Sequence, residues 1–104
     1  MLDVASMMEW VYRAVDIAHI RDDMRERDRL GQERYGTPLQ AYNGRDPLID
    51  AYQEALDLVA YLKQWCMEQG PRADASRYWD ALRLAVSLGL ALLHDREKRV
   101  RNQR

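Results

Sequence analysis

The chain has 104 residues, 47% of them hydrophobic and 32% charged, with a formal net charge of −1 and a pI near 6.1. That length suits one domain rather than two, and the near-neutral balance gives no general argument for a nucleic acid or an acidic membrane as partner. The single cysteine, Cys66, excludes an intramolecular disulfide and a cysteine-based zinc site, and no run approaches the roughly 18 uninterrupted apolar residues of a membrane span.

Residues 3–34 predict a first helical segment. Met7, Val11, Ala14, Val15 and Ala18 recur at helical spacing, and Asp3 or Ser6 suits the N-cap. Asp3, Glu9 and Arg13 interrupt this stretch too early for the apolar core of a signal peptide, so the expected setting is intracellular, in the cytoplasm. The same face continues through Asp22, Arg25, Glu26, Arg29 and Glu33, turning from apolar to charged halfway along. Two forms are open: a break near residues 19–21, giving a short fourth helix, or one long rod.

Residues 35–45, YGTPLQAYNGR, read as a loop, with Gly36, Pro38 and Asn43-Gly44 as turn signals. Asp46 then suits an N-cap and Pro47 the first helical position. The second helix runs to about Glu68, its apolar face marked by Leu48, Tyr52, Ala55, Val59, Leu62 and Cys66. The Cys66 thiol, set in that pattern, is expected to be buried and inert. Asp50, Glu54, Asp57 and Tyr61 lie almost opposite, and Leu56, Leu58, Ala60 and Trp65 fill much of the space between. Gly70-Pro71 ends this helix. Asp74 or Ser76 opens a third, with Tyr78, Leu82, Ala85, Val86, Leu90 and Leu93 as its stripe. Residues 95–104 are basic and expected to fray. The fold class is therefore all-α, a bundle of three to four helices. A chain this short buries a modest share of its surface, and Tyr52, Trp65, Trp79 and Leu90 offer more apolar area than three helices hide. A homodimer or homotetramer is expected to complete the bundle.

The spacing of Asp50, Glu54 and Asp57 at i, i+4 and i+7 places three carboxylates on one helix face, and no basic residue stands one turn from any of them. Like charges at i,i+4 cost roughly 0.2–0.5 kcal/mol per pair. A solvated face is the ordinary account of such a run. A purely acidic stripe with apolar flanks also suits a hard divalent cation such as Mg²⁺, which takes carboxylate oxygens. A second acidic set, Asp22, Asp23, Glu26 and Glu33, is interleaved with Arg21, Arg25, Arg27, Arg29 and Arg34, and by itself reads as ion pairs on a wet surface. Two antiparallel helices would bring Glu26 opposite Glu54 and Asp57.

Glu54-Ala-Leu-Asp57, within DAYQEALDLVAYL, resembles the ExxD half of the signature of MazG-like all-α nucleoside triphosphate pyrophosphatases, in which an ExxE pair on one helix precedes an ExxD pair on the next. The stretch ERYGTPLQAYNGRDPLIDAYQEALDLVAYLKQ is similar to short phage and bacterial members of that group, and the resemblance spans residues 22–64. The first pair departs from the pattern. Asp23-Met24-Arg25-Glu26 is the nearest match, with 27 residues between Glu26 and Glu54 and with Glu33 as a rival, and Gln53 stands where members often carry a glutamate. The resemblance implies hydrolysis of a nucleoside triphosphate to monophosphate and pyrophosphate with Mg²⁺, or Mn²⁺ in its place. It implies Glu54, Asp57 and Glu26 as metal ligands and catalytic groups, with Glu33 and Asp23 as further candidates and Asp50 at the rim. Arg45, Arg34 and Lys63 are candidate phosphate contacts, each also readable as a surface cation. Tyr35, Tyr42 or Trp10 could stack on a base, and core packing is the commoner fate of such rings.

Other chemistries lack their residues. His94-Asp95 matches the dinucleotide of HD phosphohydrolases, yet only His19 remains to join it. Asp16 and His19 form a single acid-x-x-His, whereas a di-iron bundle needs two Glu-x-x-His motifs and two further glutamates. No P-loop, nucleophile elbow or dinucleotide glycine motif is present. The rival reading is a non-catalytic helical module, used for dimerisation or, through residues 96–104, for regulatory nucleic-acid contact. That tail also carries Glu97 and has no aromatic residue.

Overall fold

Asp3 opens the first helix as the sequence predicts: its carboxylate accepts from the Ser6 amide at 3.3 Å and from the Ser6 hydroxyl at 3.0 Å. The computed structural model describes residues 3–15, 17–36 and 39–103. These form four helices, α1 (Val4–Tyr12), α2 (Ala18–Tyr35), α3 (Pro47–Gln69) and α4 (Ser76–Asn102). There is no strand among the described residues, and the chain divides into two units, Met1–Arg45 and Asp46–Arg104. Asp16, one half of the acid-x-x-His pair, the turn signal Pro38 and the terminal Arg104 lie outside the described residues.

In the first unit the helical segment is not one rod, and it breaks earlier than residues 19–21. Ala14 and Val15 donate to the carbonyls of Val11 and Tyr12, each at 3.0 Å, which tightens the last turn of α1 and stops it. The Arg21 guanidinium then takes the Val15 carbonyl at 3.1 Å, satisfying an acceptor that a continuing helix would have used. A helix of nine residues does not hold itself in water. Two ties hold α1. Val4 donates its amide to the Leu39 carbonyl at 2.9 Å, beside an antiparallel bridge between Asp3 and Gln40. At the other end, Tyr12 is buried, with Asp28 of α2 as its hydroxyl's partner.

The inward row of α1 is one position away from the one its periodicity suggests. Met7 and Val11 are exposed, while Met8 is half-buried and Tyr12 buried in their stead; Val15, beyond the end of α1, is half-buried as expected. The period is right and the phase is set by the ring. Tyr12 buries more apolar area than Val11, and its hydroxyl has an acceptor. On α2 the inward row is Arg21, Met24, Asp28 and Gly31, at spacings of three, four and three.

In the second unit, Asp46 caps α3 as predicted, accepting from the amides of Leu48 at 3.0 Å and Ile49 at 3.3 Å, with Pro47 in the first turn. The helix ends at Gly70, which sits at φ 91° and donates to the Cys66 carbonyl at 3.2 Å. After the turn, Asp74 accepts from the Ser76 amide at 3.0 Å and starts α4. That bond is what holds the Asp74 carboxyl below its usual range. Tyr52 meets Gly89, and Lys63 lies over Tyr78, so α3 and α4 run antiparallel.

The contact between α3 and α4 is made by small residues. Ala55, Ala81 and Ala85 are buried, which lets the two backbones approach. All six residues of the α3 face named from the sequence are buried or half-buried. On α4, Tyr78, Leu82 and Ala85 also turn inward, but Val86, Leu90 and Leu93 are 55%, 61% and 54% exposed. Ala81, Leu88 and Leu92 take the inward places instead. An alanine-lined contact excludes the bulkier row, which is left on the flank. The basic segment after His94 is helical to Asn102, with Arg99 bonded to Asp95 at 3.0 Å. Among the described residues, no helix is long and apolar enough to cross a membrane.

Candidate functional site

The cap at Asp46 fixes where α3 begins and so where its acids fall. Asp50 occupies the first turn, where the helix dipole favours a negative charge. It is half-buried and makes an interaction of its own. Glu54 and Asp57 follow on the same face and are exposed. No salt bridge among the described residues reaches either of them. The acids therefore share a face, as their spacing predicts, and it is not the face that carries buried Ala55.

The acids of the first unit are arranged differently. Arg29 bonds to both oxygens of Glu26, at 2.6 and 2.9 Å, and to Glu33 at 3.1 Å. Its guanidinium holds the Glu26 carboxyl below its usual range, and Glu26 in turn raises Arg29. Asp23 lies 3.6 Å from His19 one turn away. Glu9 on α1 accepts from Arg25 Nε at 2.8 Å, and that bond keeps its carboxyl low. The arginine contacts are ion pairs on a solvated surface, worth little each. Glu26, Glu33 and Asp23 thus stand on α2 in the first unit, and Asp50, Glu54 and Asp57 on α3 in the second.

The residues proposed to touch substrate are spread over both units. Tyr35 and Tyr42 are exposed, Tyr42 by 94%, and so is Trp10, which departs from the core packing usual for such rings. Tyr42 adopts φ 60°, a left-handed conformation uncommon for an aromatic residue. The turn after it is held by Asn43, whose side chain accepts from the Arg45 amide at 3.0 Å. Arg34 lies over the Tyr35 ring at 5.4 Å, and Lys63 over Tyr78 at 5.3 Å.

Lys63 belongs to a different flank of α3 from the acids. With Leu56 and Ala60 it lines a groove of about 660 Å³ whose other wall is α4, through Val86, Leu90 and Leu93. Arg96 of α4 also lines this groove, a place that its position in a basic tail did not suggest. None of Asp50, Glu54 and Asp57 lines it.

Two exposed carboxylates on one helix turn are hard oxygen donors without a competing cation, which suits Mg²⁺, an ion that keeps several waters and takes one or two carboxylates. A cage of three or more His, Cys, Asp or Glu side chains able to hold a metal ion is not formed among the described residues. No protein-family model, curated protein or solved structure matches the chain.

Proposed function

We propose that this chain is a Mg²⁺-dependent nucleotide pyrophosphohydrolase of the MazG-like type, converting a (d)NTP to (d)NMP and pyrophosphate in nucleotide-pool control or house-cleaning. The observation that carries the reading is the pair Glu54 and Asp57, exposed on one face of α3 and bonded to no cation, where Glu9, Glu26 and Glu33 each hold an arginine. The resemblance of the ExxD stretch supports it. In this reading Glu54 and Asp57 hold the ion, Glu26 is the further ligand that the resemblance implies, and Glu33, Asp23 and Asp50 are lesser candidates. Bound Mg²⁺ supplies charge neutralisation on phosphate oxygens and lowers the pKa of a coordinated water. The chain's own residues supply a carboxylate base, cations for phosphate at Arg45 and Arg34, and exposed rings for the base at Tyr35 and Tyr42; Lys63, which lines the groove away from the acids, is left out of the site.

Copies of the chain associate in this reading, as a homodimer or homotetramer, because Val86, Leu90 and Leu93 stay exposed. That same exposure favours the second reading, a helical dimerisation module without chemistry. A release assay separates the two. With Mg²⁺ and a panel of canonical (d)NTPs, the enzyme forms pyrophosphate and monophosphate, and loses this with EDTA or in Glu54→Gln. No turnover with Mg²⁺ or Mn²⁺, together with no Mg²⁺ heat in calorimetry, would refute the proposal and leave the module.

A further inference from the structure

We infer that α4 carries a self-complementary interface on which a second copy of this chain seats antiparallel. The inference rests on the reading that copies associate and is independent of the chemistry at the acidic face.

Arg83, Val86, Leu90, Leu93, Glu97 and Val100 are spaced three, four, three, four and three apart, and all six are exposed. That alternation is the heptad spacing by which one helix seams against another. The row spans about 25 Å at roughly 1.5 Å per residue. Its centre is apolar. One cation stands seven positions before Leu90, and one anion seven positions after it.

This placement chooses an orientation. Laid parallel, two copies of the row bring Arg83 against Arg83 and Glu97 against Glu97, which repel. Laid antiparallel about a two-fold axis near Leu90, each Arg83 comes beside the other copy's Glu97, and two ion pairs bracket the leucines. Arg83 is bonded to Asp80 at 2.6 Å on its own helix, but its side chain is 71% exposed and its guanidinium has donors to spare.

The surroundings give the incoming helix a seat. Val86, Leu90 and Leu93 form one wall of the groove, and Leu56 and Ala60 of α3 form part of the other. A ridge of leucines from the second copy fills the gap between α3 and α4, and two helical hairpins close into a four-helix bundle. Asp50, Glu54 and Asp57 do not line the groove, so the seam leaves the acidic face clear.

The test is the mass of the full chain by light scattering on a sizing column, over a range of concentrations. The wild type is expected at twice 12.3 kDa or a higher even multiple. Leu90→Glu is expected to fall to the lower species while keeping its helical circular dichroism, because Leu90 is exposed. Glu97→Arg is expected to weaken the association by about tenfold, and adding Arg83→Glu to restore it. A mass of 12.3 kDa at every concentration would overturn the association itself. An oligomer untouched by Leu90→Glu would overturn this surface alone. If Leu90→Glu loses helicity, the two surface charge variants decide: failure of the double exchange to restore binding overturns the antiparallel seam.

Discussion

Replacing Gly89 by alanine sets two effects of similar size against each other. A helix-interior glycine is about 0.8–1.0 kcal/mol less favourable than alanine, and Gly89 lies well inside α4. The new Cβ, however, would stand 3.2 Å from Tyr52 Cε1 and 3.5 Å from both Cζ and the hydroxyl oxygen. The favourable separation for such carbons is about 3.5–4.0 Å, so the ring must retreat by a few tenths of an ångström. Tyr52 is only half-buried, and its ring can turn by that much without a shift of the backbone. A displaced ring of this kind gives back about half of the propensity gain, and Gly89→Ala is expected to stabilise by about 0.5 kcal/mol. In a unit of this size that raises the Tm by about 2–4 °C. Thermal and urea unfolding at matched protein concentration would read the shift. A loss of more than about 1 kcal/mol would refute the reasoning, showing that Tyr52 is pinned and that the groove wall is rigid.

Two further outcomes follow from the caps and the buried ring. Asp46→Ala removes the acceptor for two α3 amides and is expected to cost about 1 kcal/mol in urea unfolding, with Asp46→Asn recovering most of it. Burial pushes the Tyr12 hydroxyl up to about 12, helped by its bond to Asp28 and by the nearby negative charges. Its folded pKa lies above the unfolded value, so its contribution to stability is complete below about pH 10 and is lost as the pH rises through the folded value. Urea midpoints measured across that window should fall more steeply for the wild type than for Tyr12→Phe, and parallel curves would contradict the assignment.

The second unit was the more legible of the two because its signals are local. Asp46-Pro47 and Gly70-Pro71 mark both ends of α3 in chemistry that needs no tertiary context, and the six-residue face of α3 followed from its period. The α4 face was only half readable. Periodicity weighted by bulk chooses Val86, Leu90 and Leu93, whereas close approach of two backbones selects Ala81 and Ala85 and turns the leucines aside. The break after Tyr12 carries no glycine or proline, and Ile17 enters α2 without a side-chain cap. It depends on Arg21 reaching Val15 from six residues away, a bond that residue types do not announce. At the candidate site, spacing was enough to place Glu54 and Asp57 on one face. The sharing of Arg29 between Glu26 and Glu33 was visible only as alternating charge.

The bond from Val4 to Leu39 has a bearing on the order in which the chain can gain structure. Helix α3 needs only the turn after Gln69 to find α4, and contacts can zip outward from there. The bridge at Asp3 instead closes a ring that reaches to Gln40. Closing a ring of that length costs on the order of 3 kcal/mol in chain entropy, and α1 is too short to offset any of it beforehand. The first amide of α1 thus takes its partner from a segment that follows α2, so the start of the chain cannot be specified until the middle has arrived.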